Sequence, residues 1–171
     1  MLRTLAIATQ SGGRTCLAFL AVSAALAVQP AAGADTTEVG LPTLHAAVLM
    51  ANLNRANLPI VLAAAPGRDV ESAAEAWTTR DSTDRPEQIV VSSSSAVFRC
   101  AMPPVENHQC LLKLASILIH EEWHFRHGAD ERRAYDAQLT FLRMRGASSY
   151  FITGVQRARR YVMAREQQAR H

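Results

Sequence analysis

The side chains with chemistry to offer gather between Leu114 and Leu139, around His120-Glu121-Glu122-Trp123-His124, the pattern H-E-x-x-H. On a helix, residues four apart lie one above the other on the same face. Two imidazoles so placed can grip one metal ion, and Glu121 then leans toward a water on that ion. Nitrogen and carboxylate donors in this pattern suit Zn2+, and the chemistry on offer is activation of water for hydrolysis.

The segment that must hold these residues reads as a helix from Cys110 to His127. At 100° per residue, His120, His124 and His127 share one side. Leu111, Leu114, Leu118 and Phe125 take a second side, and Leu112, Ile119 and Trp123 a third. Only Ala115, Glu122 and Arg126 are left for solvent, with Glu122 and Arg126 spaced as an i,i+4 pair. A helix apolar on most sides is a buried one. Histidines and a glutamate inside it need partners, because unpaired polar burial costs a few kcal/mol per group; a metal ion supplies one. Gly128 has the right place to cap this helix. Asp130 can N-cap the next, from Glu131 to about Arg145, which Gly146 ends.

His120-Glu121-x-x-His124 resembles the zincin metallopeptidases. The resemblance covers about twenty-five residues and implies a helix-backed, mostly antiparallel sheet, zinc held by both histidines, and Glu121 as general base toward a peptide or protein substrate. The metzincin pattern places Gly at 127 and His at 130, where this chain has His127 and Asp130. An aspartate in that last place is similar to the snapalysin-like variant. The glutamate-type zincins draw the third ligand from the following helix, and here Glu131 opens that helix. Glu131, Tyr135 and Gln138 lie on one polar stripe that can face the metal, whereas Asp130 has a competing task as N-cap. Glu131 is therefore the preferred third ligand, with Asp130 and His127 as alternatives. His127 also suits a plain helix C-terminal cation. Tyr135 has the chemistry to donate to a developing oxyanion, and equally to pack half-buried between helices. Asp136 or another acid would orient a ligand histidine.

Around this segment the chain reads as one α+β domain, residues 35–171, mostly helical with a short antiparallel sheet. Residues 35–40 read as a flexible start, and Leu41–Asn57 as a helix with Pro42 in its first turn. Ile60-Val61-Leu62 is a short strand closed by Pro66-Gly67. Ala74–Thr79 and Glu87–Val97 read as two more strands, joined through Arg80-Asp81-Ser82-Thr83-Asp84-Arg85-Pro86. A last helix starts at Ser148 or Ser149, with Phe151, Val155 and Val162 inward and Arg157, Arg159, Arg160 and Arg165 outward.

Residues 1–34 carry Arg3 and Arg14, an apolar run from Cys16 to Val28, and Ala32-Gly33-Ala34, the pattern of a cleaved export signal. The apolar run is shorter than the roughly 20 residues of a membrane span. Removing two arginines takes Lys+Arg from 18 to 16 against 15 acids, so net charge falls from +3 to +1. Basicity then says little about partners, and with few aromatics and export, nucleic acid is not expected. Cys100 and Cys110 are expected to pair as a disulfide in a periplasmic or extracellular setting; a thiolate site with His108 is the alternative. Between Arg143 and His171 stand seven arginines and one acid, Glu166. Such a face is usually solvated, but also suits peripheral contact with an anionic envelope. The alternative to an enzyme is thus a non-catalytic exported module, zinc-binding or envelope-contacting.

Overall fold

A computed structural model of the protein describes residues 35–64, 75–103 and 107–169, with side chains from Gly40 onward. The export segment and the Pro66-Gly67 turn lie outside the described residues. The described residues form five helices and a small sheet, in the order α1 (Asp35–Met50), β1 (Ile60–Ala63), β2 (Ala76–Arg80), β3 (Pro86–Ser92), α2 (Ala96–Ala101), α3 (His108–His127), α4 (Glu131–Met144) and α5 (Ser149–Gln168). A single 3-10 turn, Arg55–Asn57, precedes β1.

The sheet has the order β1-β3-β2 and is mixed. β2 pairs antiparallel with β3, Trp77 opposite Val90, whereas β1 pairs parallel, Ile60 beside Ile89 and Leu62 beside Val91. The expectation of an antiparallel sheet is corrected at this parallel edge. Ile89 and Val91 are fully buried in the middle strand, whose backbone N–H and C=O groups are satisfied by a partner on each side.

Two further expectations change. Helix α1 begins at Asp35, so residues 35–40 are helical and Pro42 stands inside the helix rather than in its first turn. It ends earlier than expected, because Asn52 adopts a left-handed φ of 56°. The amides of Asn52 and Leu53 then return to the carbonyls of Leu49 and Val48, closing a Schellman-type stop. β3 likewise stops at Ser92, and Ser95 caps the short helix α2 by accepting from the Phe98 amide at 3.2 Å. The stretch read as one long strand to Val97 is therefore a strand and a helix.

Helix α3 is the structural axis. Leu114, Ala115, Ile117 and Leu118 join Leu44, Val48, Ile60, Ile89 and Phe98 in one core. Leu112 meets Leu139, Leu142, Ala147 and Val155 of the α4–α5 side in a second. Ala115, expected on the solvent stripe, is fully buried. The helix missed by pattern, α2, packs on α3, and Phe98 belongs to the same core as Ala115. Cys100 and Cys110 form a disulfide with Cα atoms 5.8 Å apart, pinning α2 to the first turn of α3. The cysteines are thus not thiolate ligands.

Candidate metal centre

Helix α3 stacks His120 and His124 one turn apart and brings their Nε2 atoms to 3.1 Å. The Nδ1 of His124 lies 2.9 Å from the Gly128 carbonyl. A carbonyl only accepts, so in the neutral ring Nδ1 carries the proton and Nε2 presents a lone pair. Gly128 makes this possible. It ends α3 at φ 85°, ψ −156°, a conformation open essentially to glycine alone.

The chain turns back at once. Asp130 caps α4 by accepting from the Arg133 amide at 3.0 Å, which occupies its side chain as expected. Glu131, the first residue of α4, then faces both imidazoles, with Oε2 3.5 Å from His120 Nε2 and Oε1 3.4 Å from His124 Nε2. When the rings are protonated, hydrogen bonds from His120 and then His124 hold its carboxyl well below the usual range, at about 2. Burial lowers the basicity of His124, but the Glu131 hydrogen bond, the Gly128 carbonyl and the charges of Glu131 and Glu121 outweigh it, and the net shift is upward.

His120, His124 and Glu131 form the one such cluster among the described residues, each offering a donor atom within 4.8 Å of the others. The donor set fits a divalent cation. Two imidazole nitrogens and a carboxylate aim lone pairs at one point, and His120 Nδ1 is buried without a partner. If that nitrogen carries the proton, the Nε2 lone pairs and the carboxylate oppose one another unless a cation lies between them.

Glu121 sits beside this cluster at 9% exposure. Its Oε2 accepts from the Thr78 hydroxyl at 2.9 Å. Burial raises its carboxyl above the usual range, against the lowering influence of His120, Thr78 and His124. The Tyr135 ring meets His120 edge-on, centroids 4.5 Å apart. Burial first, then the charges of Glu131, Glu121 and Glu75, pushes its phenol up to about 12, so it stays a hydrogen-bond donor near neutrality.

Other expected members stand elsewhere. His127 is exposed and packs on Trp123 with centroids 4.3 Å apart. Asp136 pairs with Arg159 at 3.0 Å and orients neither ligand histidine. The carbonyl of Gly128 does that for His124. Arg159 is accordingly tucked against α4 rather than turned outward. Gln138 is buried and donates to Ser116 at 3.1 Å, bracing α4 on α3. Glu122 and Arg126 do pair, at 2.7 Å.

Thr78 and Arg80 were not anticipated. Two apart on β2, they point the same way, Thr78 to Glu121 and Arg80 to the His124 carbonyl at 3.4 Å. The strand itself was legible, but nothing local says which helix its side chains meet. One cleft beside the cluster is lined by Thr78, Arg80, Glu121, His124, Ala129 and Glu131. Another, on the far side, is lined by His120, Glu121, Tyr135 and Lys113, with Gly154, Val155 and Ala158 of α5 as its wall. Among the described residues no helix is long and apolar enough to cross a membrane. No protein-family model, curated protein or solved structure matches the chain.

Proposed function

We propose that the protein is an exported, zinc-dependent peptidase of the zincin type. The observation that carries this reading is the convergence of His120 Nε2, His124 Nε2 and the Glu131 carboxylate on one point, with the buried Glu121 beside it. Mixed histidine and carboxylate donors favour zinc among divalent ions, and three protein ligands leave one position for substrate chemistry. When bound, zinc supplies a Lewis acid that polarises a carbonyl and acidifies water. The chain supplies the rest. Glu121 has one oxygen occupied by the Thr78 hydroxyl, which leaves the other to take a proton from attacking water and return it to the departing amine. Tyr135, protonated near neutrality and packed on His120, would donate to the carbonyl oxygen as charge develops there. The Cys100–Cys110 disulfide accords with an oxidising compartment.

The test uses the purified protein, elemental analysis and a peptide library. Wild type is expected to hold one zinc per chain and to cleave peptides. Glu121→Gln should keep the zinc and lose roughly 100-fold or more in rate, as for removal of a general base. Zinc bound with no cleavage in either form would remove the enzyme reading and leave a zinc-binding module. Absence of zinc after growth with ample metal would remove both.

A further inference from the structure

A third cleft, which shares no lining residue with the two beside the cluster, runs along the α4–α5 seam. It is lined by Asp136, Leu139 and Arg143 of α4 and by Gln156, Arg159 and Arg160 of α5. Three guanidinium groups therefore border one concavity. Asp136 answers one of them, through Arg159 at 3.0 Å. Among the described residues neither Arg143 nor Arg160 has a carboxylate within ion-pair distance. The Nε of Arg159 is buried and has no hydrogen-bond partner among them either.

A surface helix face of arginines is ordinarily just solvated. This arrangement differs because its charges come from two helices and meet across a cleft with a buried leucine in it, Leu139 at 4% exposure. With three arginines against one aspartate the cleft carries a net positive surplus beside low-dielectric walls, which draws counter-ions of the opposite sign. Arginine forks match phosphate oxygens bidentately, and the Gln156 carboxamide adds a neutral donor. A compact dianion answers the surplus of two positive charges, whereas a single carboxylate does not.

We propose that the α4–α5 cleft is an anion site that takes a phosphate group, with Arg143, Arg159, Arg160 and Gln156 as its donors. It is separate from the His120–His124–Glu131 cluster and does not depend on a metal being held there. Asp136 serves to hold the Arg159 fork in place. The phosphate can belong to a soluble phosphoester or to a phospholipid headgroup; the chemistry at the cleft is the same.

Calorimetry with inorganic phosphate and pyrophosphate on the whole protein in EDTA tests this, because chelation removes any contribution from the metal cluster. Wild type is expected to bind, pyrophosphate more tightly. Arg143→Gln/Arg160→Gln should weaken binding roughly tenfold or more, as for loss of charge-assisted hydrogen bonds. The charge-matched control Arg55→Gln/Arg99→Gln, exposed residues on other elements, should change it less than about twofold. Arg159→Lys keeps the charge but loses the fork, and should weaken binding as well. No binding by wild type at millimolar phosphate or pyrophosphate, or equal weakening by the control pair, would overturn the proposal. Flotation with vesicles of phosphatidylglycerol in phosphatidylcholine then separates the sources. Vesicle binding lost in the cleft variant assigns a headgroup; soluble binding without vesicle binding assigns a free phosphoester.

Discussion

Thr78 donates a hydrogen bond to a carboxylate that is almost wholly removed from water, and a hydrogen bond to a buried charge is worth more than one between neutral groups. Thr78→Val keeps the shape and removes the donor. It should cost about 1–3 kcal/mol in a denaturant titration, leave any bound metal in place, and slow the proposed peptide cleavage. Unchanged stability would mean that water replaces the hydroxyl there. At this scale the sequence was informative where chemistry and spacing coincide. His120, His124 and Glu131 were nameable because H-E-x-x-H fixes two donors on one helical face and Asp130 fixes the start of the next helix. The role of Asp136 was not, since its partner Arg159 lies on another helix and side-chain pairing across helices leaves no local trace. Thr78 was hidden for the same reason.

Between elements, the turn from α3 to α4 does two jobs through one residue. Gly128 lets the chain reverse, and its carbonyl sets the ring of His124. An alanine there is strained by about 1–3 kcal/mol, and relief requires the carbonyl to move. Gly128→Ala should therefore lower the melting temperature and weaken metal binding together, measured by thermal unfolding and by competition with a zinc chelator. The β2–β3 turn offers a pH test. Asp81 accepts from the amides of Thr83 and Arg85 at 2.8 and 3.0 Å and from the Thr83 hydroxyl at 2.7 Å. These bonds, the Thr83 hydroxyl foremost, hold its carboxyl below the usual value. A depressed carboxylate stabilises the fold above its unfolded value, and that contribution is lost as pH falls through the folded one. Thr83 and Arg85 amide protection should thus persist through pH 5 and fade only below about 4, the ordinary aspartate range. Asp81→Asn should abolish the step. Helices α3, α4 and α5 were legible because caps, glycines and apolar spacing agree along each. The parallel pairing of β1 was not, because register between distant strands is settled by packing. Nor was α2, whose Val97 and Phe98 follow a β-branched run and read as its continuation.

Across the whole molecule the two cores are unequal. One joins α1, the sheet, α2 and α3, whereas α5 has a single buried side chain, Val155, along twenty residues. It leans chiefly on α4, with the Ser148 amide tied to the Gln109 side chain at 2.7 Å. Elements with little buried apolar surface open at lower free energy than the global transition. Amides of α5 are therefore expected to exchange well before those of α3 in hydrogen-exchange mass spectrometry, with or without bound metal. Equal protection of both helices would show that the molecule opens as one unit.

That same lightly held helix, through Gly154, Val155 and Ala158, is one side of the space in front of His120 and Glu121. The rest of its lining comes from α3, from Tyr135 and Gln138 of α4, and from Glu75 and Ala76 where β2 begins. A helix that opens before the rest of the fold would take one wall of that space with it, so variants that bind α5 more firmly to α4 are expected to slow its amide exchange without touching any donor atom.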